Sequence, residues 1–68
     1  MKGFIEIESV SGQPHTIRAK NVQMVKRTMP DDEGRERTLI RFGDHEMDRV
    51  FTWESYGDVM DKLEEANG

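Results

Sequence analysis

The sequence predicts an α+β fold: a four- to five-stranded antiparallel sheet, built as a meander of hairpins, with one C-terminal amphipathic helix packed on one face. Short runs of alternating apolar and polar residues, which are typical of half-buried strands, recur between residues 4 and 53. Glycine and proline separate these runs, and an apolar stripe of helical period follows Ser55. We expect strands at about residues 4–10, 15–18, 24–29, 37–42 and 48–53, and a helix at about residues 56–66.

The first hairpin is predicted from alternation on both sides of a turn. Ile5 and Ile7 fall on one face of the first run, and glutamates interleave with them on the other face. Gly12 and Pro14 then interrupt the strand, since this pair of residue types marks a turn. Ile17 is the one apolar anchor of the short second strand.

The segment after the second strand favours an interruption of the sheet. Val22 and Val25 are three residues apart, a spacing that suits a single helical turn better than a strand. Alternation resumes from Val25, and a charged loop over residues 30–36 forms the tip of the next hairpin. The returning strand places Thr38 and Ile40 on one face.

The last predicted strand carries bulky side chains on both faces. Phe51 and Trp53 fall on one face, and Val50 and Thr52 fall on the other. Such a strand is either central in the sheet or covered by a partner. Together with Tyr56, Phe51 and Trp53 form an aromatic cluster at the junction of strand and helix. This cluster is either part of the core or a partner surface, because Trp and Tyr are enriched at interface hot spots.

The helix start is the clearest local signal. The hydroxyl oxygen of Ser55 can accept a hydrogen bond from a first-turn amide, and the carboxylate of Asp58 faces the positive end of the helix. The stripe predicted to be buried consists of Tyr56, Val59, Met60 and Leu63.

The composition indicates one small, polar domain over residues 1–68. Charged residues make up 35% of the chain and the formal net charge is −4, but the apolar residues are periodic, which favours a folded chain. Cysteine is absent, so neither a disulfide nor a thiolate zinc site can stabilise so small a core. Its stability must therefore come from an efficient core or from self-association. No apolar run is long enough for a signal peptide or a membrane span, so we expect a cytoplasmic protein.

Charge is distributed unevenly along the chain. Residues 18–41 hold seven basic and four acidic residues, a net +3, which leaves −7 on the rest. A basic hairpin could bind nucleic acid, and its candidate residues are Lys26, Arg27, Arg35, Arg37 and Arg41. Against this, acidic residues occupy the hairpin tip, and no aromatic residue interleaves the basic ones to stack on a base. The preferred interpretation is that the basic residues of this segment form cross-strand salt bridges.

No signature of catalysis or of a cofactor is present. The run at residues 44–48 has alternate carboxylates as a calcium loop does, but Arg49 stands where that loop needs glycine and Ser55 where it needs glutamate. His15 and His45 have no nearby Cys or Ser nucleophile, and a unit of this size rarely encloses a ligand cavity. We therefore expect no metal, no cofactor, no small-molecule substrate and no enzymatic activity.

Four segments resemble the small FlbD-like proteins that are found near flagellar genes, and related short bacterial and phage proteins. These segments are SGQPHTI, KNVQMV, TLIRFGD and ESYGDVMDKLEE, and together they cover most of the chain. The loop from Met29 to Arg37 is longer than in that family. The resemblance implies a β-rich fold with a C-terminal helix and a bacterial or phage origin; it implies no activity, and no functional residue carries over.

Two functions of different classes remain open. The first is a non-enzymatic protein-interaction or assembly module, which self-associates or binds a protein partner through Phe51, Trp53 and Tyr56. This function is favoured by the small core, which no disulfide stabilises, and by the open edges of the strands. The alternative is a small nucleic-acid-binding regulator that uses the basic hairpin of residues 26–41, although the acidic chain as a whole disfavours a nucleic-acid partner. No membrane partner is expected.

Overall fold

The computed structural model describes residues 2–68 and confirms the α+β class, with antiparallel strands and one C-terminal α-helix. The elements in chain order are β1 Phe4–Glu8, β2 Pro14–Arg18, a 3-10 turn at Ala19–Asn21, β3 Met24–Arg27, β4 Thr38–Arg41, β5 Arg49–Thr52 and α1 Tyr56–Asn67. The prediction of a single four- to five-stranded sheet is wrong. The strands form a two-stranded sheet, β1-β2, and a three-stranded sheet in the order β3-β4-β5.

The two sheets meet where β1 ends. Ser9 bridges to Thr52, the amide of Val10 donates to the carbonyl of Phe51 at 2.9 Å, and the Thr52 hydroxyl donates to the carbonyl of Glu8 at 2.8 Å. β1 stops short of its predicted end because the hairpin turn begins at Ser9: the amide of Gly12 donates to the carbonyl of Ser9 at 2.8 Å. The sequence pattern shows that residues 4–10 are extended, but it does not show that their last residues leave one sheet for another.

The interruption expected near Val22 is a 3-10 turn that lies slightly earlier in the chain. The amide of Val22 donates to the carbonyl of Ala19 at 3.2 Å, and the amide of Ala19 donates to the carbonyl of Gly3 at 3.0 Å. Val25 belongs to β3 and not to the turn. Ala19 is buried, and this small residue lets the turn sit against the core.

The core lies between the two sheets and α1. Its members are Ile5, Ile7, Ile17, Ala19, Ile40, Val50, Val59, Leu63 and Ala66. Met60, predicted to be buried, is 39% exposed, whereas Ala66 is buried. The buried stripe of α1 therefore follows the i, i+4, i+7 positions from Val59.

Contacts at both ends and along its side hold α1 in place. The predicted cap is confirmed: the amide of Asp58 donates to Oγ of Ser55 at 3.1 Å. Lys62 Nζ donates to the carbonyl of Glu6 at 2.8 Å and pairs with the Glu54 carboxylate at 2.6 Å, so it ties α1 to β1 and to the segment after β5. None of the helices formed by residues 2–68 has the length and apolar character needed to cross a membrane.

Candidate interaction surface

One side of the three-stranded sheet faces away from the core. The register pairs Lys26 with Leu39 and Leu39 with Phe51. Two residues further along, it pairs Met24 with Arg41 and Arg41 with Arg49. Because side chains alternate along a strand, these residues lie on the side opposite the buried Ile40 and Val50. We call this side the outer face; it also includes Arg37 and Trp53, which continue the alternation just beyond β4 and β5.

The outer face has a small apolar centre of its own. Leu39 is only 8% exposed although it does not belong to the main core. Its cross-strand neighbours are Lys26 and the half-buried Phe51. Trp53 is 45% exposed and Met24 is 37% exposed. The face therefore presents partly covered apolar groups, and the aromatic residues among them are not buried in the core.

Arginine side chains lie over the aromatic rings of this face. The guanidinium carbon of Arg35 is 4.8 Å from the ring centroid of Trp53. Phe51 has two such neighbours, Arg37 at 5.1 Å and Arg49 at 5.7 Å. These distances are typical of cation–π contacts. The expectation that no aromatic residue interleaves the basic ones is wrong, because strand pairing brings together residues that are far apart in the sequence.

Tyr56 and Arg27 do not belong to the outer face. Tyr56 is the first residue of α1, and the guanidinium carbon of Arg27 is 5.6 Å from the centroid of its ring. Arg27 follows Lys26 in β3 and so projects to the other side of the sheet. The structure thus divides the proposed aromatic cluster: Phe51 and Trp53 share a surface, and Tyr56 lies elsewhere.

Most cations of the outer face have no carboxylate partner. Arg35, which joins this face by lying over Trp53, pairs with Asp31 at 3.3 Å and with Glu33 at 3.2 Å. Within residues 2–68, the remaining cations of this face form no ion pair; they are Lys26, Arg37, Arg41 and Arg49. The preferred interpretation of the basic segment as cross-strand salt bridges therefore fails for these residues.

Two details show how poorly the positive charge is compensated. Nε of Arg37 is buried and has no hydrogen-bond acceptor among the described residues. Arg41 lies directly opposite Arg49 in the ladder, and like charges at directly opposed positions are destabilising. The outer face is consequently a surface on which an external anion would be stabilising.

The hairpin tip is organised by the carboxylate of Asp31. Its Oδ1 accepts hydrogen bonds from the amides of Glu33 and Arg35, both at 2.9 Å. The amide of Gly34 donates to the Asp31 carbonyl at 2.9 Å, and Gly34 adopts a φ of 77°, which glycine tolerates best. The amide of Arg35, with that of Glu33 and the Arg35 guanidinium, holds the pKa of Asp31 below its usual value. The tip thereby places Arg35 over Trp53.

The histidines and the acidic turn show no catalytic arrangement. His15 lies in β2, whereas His45 lies in the turn between β4 and β5, where its amide donates to the Asp48 carboxylate at 3.2 Å. Residues 2–68 contain no group of three or more His, Asp or Glu side chains placed to hold a metal ion. A surface groove of about 370 Å³ is lined by Gly3, Phe4, Arg18, Lys20 and Asn67. The groove contains no acid–base pair and no nucleophile.

Comparison with known proteins identifies no relative of this chain. No family model, no curated protein and no solved structure matches this chain.

Proposed function

We propose that this protein is a non-enzymatic protein-interaction module and that the outer face is its contact surface. The observation that carries the proposal is the exposure of Trp53, at 45%, beside the half-buried Phe51 on a sheet face opposite the core. Tryptophan and arginine are the residue types most enriched at the energetic centres of interfaces. Here Trp53 and Arg35 occur together as a stacked pair.

The size of the domain supports the same proposal. A chain of 68 residues buries a small fraction of its surface compared with larger domains, and this one has no cysteine with which to form a staple. β4 alone pairs on both sides; β2 and β3 each have an open edge, and β1 and β5 are joined only by the Ser9–Thr52 bridge. A partner that covers apolar surface on the outer face would add to the stability of the folded chain.

Trp53→Ala and Phe51→Ala test this function directly. We expect the wild-type protein either to self-associate across a dilution series measured by light scattering, or to retain a protein of defined stoichiometry from lysate. Both substitutions should weaken that association at least tenfold. Met47→Ala is the matched control, because Met47 is 80% exposed and lies in the turn outside the outer face. A monomer at high micromolar concentration that retains no partner would contradict the proposal.

A second candidate function, binding of single-stranded nucleic acid, is favoured by one observation. Aromatic rings and unpaired cations alternate across the outer face, as in sheet surfaces that combine stacking with phosphate contacts. The net charge of −4 opposes it. Guanidinium groups also occupy the ring faces on which bases would stack.

Trp53 is the single tryptophan of the chain, so its fluorescence reports on this candidate function. If nucleic acid binds, a single-stranded oligonucleotide should change Trp53 emission, with an affinity that falls steeply as salt rises. Arg37→Gln and Arg41→Gln should each weaken binding, and Arg18→Gln, which lies on β2, should not. Unchanged emission throughout the titration would exclude this function for the outer face.

A further inference from the structure

We infer that the partner of the outer face is the acidic side of α1 in a second copy of this chain, so that molecules associate head to tail. This inference rests on the proposed function, and it adds the identity of the occupant. Its basis is charge complementarity between two surfaces of the same molecule, neither of which is neutralised within that molecule.

The acidic side of α1 is a defined stripe. Asp58, Asp61 and Glu65 are exposed, and their spacing of i, i+3 and i+7 places them on one side of the helix. Glu64 is exposed beside them. Within residues 2–68 none of these four carboxylates forms an ion pair, and Lys62, the one cation of the helix, is engaged by Glu54. We call these four residues the acidic stripe.

The two charged surfaces lie on opposite sides of the molecule. α1 packs through Val59 and Leu63 against the core, whereas the outer face is the side of the three-stranded sheet that points away from that core. The acidic stripe lies on the solvent side of the helix. The stripe and the outer face therefore cannot neutralise each other within one molecule, and they can do so between two.

The dimensions of the two surfaces agree. From Asp58 to Glu65 the stripe extends about 10 Å, at 1.5 Å per helical residue. From Arg37 to Arg41 the outer face extends about 14 Å, at about 3.4 Å per strand residue, and it is three strands wide. A helix laid on this face would bring its carboxylates within reach of the unpaired guanidinium groups. Arginine binds carboxylate in a bidentate geometry, which favours this pairing.

Other occupants fit less well. A symmetric contact between two outer faces would bring two surfaces of unpaired cations together, and this like-charge approach is unfavourable. A nucleic acid would be repelled by the net negative charge of the chain. Guanidinium groups also cover the rings on which its bases would stack. The acidic stripe brings opposite charges together at the contact and needs no open ring face. A head-to-tail contact is heterologous, so it propagates into chains or closes into rings, and it weakens as salt screens the charges.

Paired charge reversals test the inference. The face-reversed variant carries Arg41→Glu and Arg49→Glu, and the helix-reversed variant carries Asp61→Lys and Glu65→Lys. Neither pair disturbs a salt bridge, and Glu65→Lys, in the last turn of α1, suits the helix dipole. By sedimentation velocity at low ionic strength, we expect the wild type to associate with increasing concentration. Each variant alone should remain monomeric, and an equimolar mixture of the two should associate again.

A control variant separates the contact from the effect of overall charge. Arg18→Glu with Lys20→Glu gives the same net charge as the face-reversed variant but changes β2 and the 3-10 turn. It should associate as the wild type does. Circular dichroism of every variant establishes that it folds.

Four results would overturn the inference: a wild type that stays monomeric, a helix-reversed variant that still self-associates, a mixture that stays monomeric, or loss of association in the control variant. If the helix-reversed variant still binds its partner and Trp53→Ala does not, the outer face keeps its role and α1 is not the occupant. If neither the wild type nor any variant binds a protein, the proposed function fails with it. Binding of an oligonucleotide that is lost in the face-reversed variant, with a monomeric wild type, would assign the face to nucleic acid.

Discussion

At the residue scale, aromatic rings and not carboxylates position most of the arginines. Five of the six arginines lie over a ring, at 4.8 to 5.7 Å from its centroid, whereas Arg35 alone forms an ion pair within residues 2–68. Arg41 has neither kind of partner there. Stacking leaves the N–H groups at the edge of a guanidinium available, so a stacked arginine can still bind an anion.

The sequence could identify the residue types of this surface but not their pairing. It indicated that Phe51 and Trp53 share one side of a strand and that residues 26–41 are basic. It did not show that Arg37 and Arg49 flank Phe51, because that depends on the register set across the ten-residue connection between β3 and β4. The place of Leu39 on this surface could not be predicted for the same reason. Its two neighbours in the sequence are also buried, and only the strand pairing shows which side of the sheet Leu39 faces.

The carboxylate of Asp31 gives a prediction at this scale. Hydrogen bonds from the amides of Arg35 and Glu33 stabilise its charged form, so its pKa is below the ordinary 3.8. A depressed pKa means that the stabilisation is fully present above the ordinary value and is lost as the pH falls through the lower, folded value. In an NMR titration, the Glu33 and Arg35 amide resonances should move together with the Asp31 carboxyl.

Asp31→Asn provides the comparison for that titration. The amide side chain does not titrate, so the part of the movement of the Glu33 and Arg35 resonances that follows residue 31 should disappear. The amide of Ile40, which is buried and lies opposite valines in the ladder, is the reference that should be insensitive in both proteins. A carboxyl at position 31 that titrates at or above 3.8 would contradict the assigned role of the loop amides.

At the element scale, the helix was predicted well because its determinants are local. Ser55 and the spacing of Val59 and Leu63 are signals contained within a dozen residues. Met60 was wrongly predicted to be buried, because periodicity shows that one side of the helix is apolar but not which residues lie in the middle of the buried side. Ala66 belongs to that side and Met60 lies at its margin. Four of the five strands are shorter than their patterns, and β2 is one residue longer. Turns end most of them, and the bridge between the sheets is a contact between distant residues that the pattern does not show.

Two glycines give opposite predictions for alanine. Gly57 lies in the first turn of α1, and a Cβ there would meet no atom within 4 Å. Gly57→Ala should therefore stabilise the protein by about 0.5–1 kcal/mol, since alanine is the better helix former. A Cβ at Gly43 would overlap the carboxyl group and the Cβ of Asp48, which lies 2.8 Å away.

Gly43→Ala should consequently destabilise the turn between β4 and β5. Asp48 would have to move, and its carboxylate would lose the hydrogen bond from the amide of His45. Gly43 does not have a positive φ, so the clash and not backbone strain would cause the effect. Urea denaturation of both variants measures whether each is more or less stable than the wild type. Equal midpoints for Gly43→Ala and the wild type would show that the turn rearranges freely.

At the scale of the whole molecule, two small sheets share one core and a narrow junction. The sequence predicted strands correctly in kind but assigned them to one sheet, because alternation reports burial on a face and not the identity of the neighbouring strand. The junction consists of the Ser9–Thr52 bridge, the hydrogen bond from the amide of Val10 to Phe51 and the hydrogen bond from the Thr52 hydroxyl to Glu8. The same arrangement leaves the outer face of the larger sheet uncovered while α1 closes the core from the other side.

Thr52 is the residue on which the coupling of the two sheets depends. It is fully buried, its hydroxyl donates to the carbonyl of Glu8 at 2.8 Å and accepts from the amide of Glu54 at 3.2 Å. Thr52→Val keeps the shape of the side chain but leaves both backbone groups without this partner. A buried polar group that loses its partner costs about 1–3 kcal/mol, so we expect a loss of stability in that range.

The effect of Thr52→Val should also differ between the sheets, because the junction joins them. Hydrogen exchange of the β1 and β2 amides should accelerate more than exchange of the β4 amides, since the smaller sheet has one internal strand pair and depends on the junction. Thr16→Val is the matched control: Thr16 is exposed on β2 and its replacement should change stability little. If Thr52→Val unfolds at the wild-type urea concentration, with uniform exchange, the hydroxyl of Thr52 has no part in joining the two sheets.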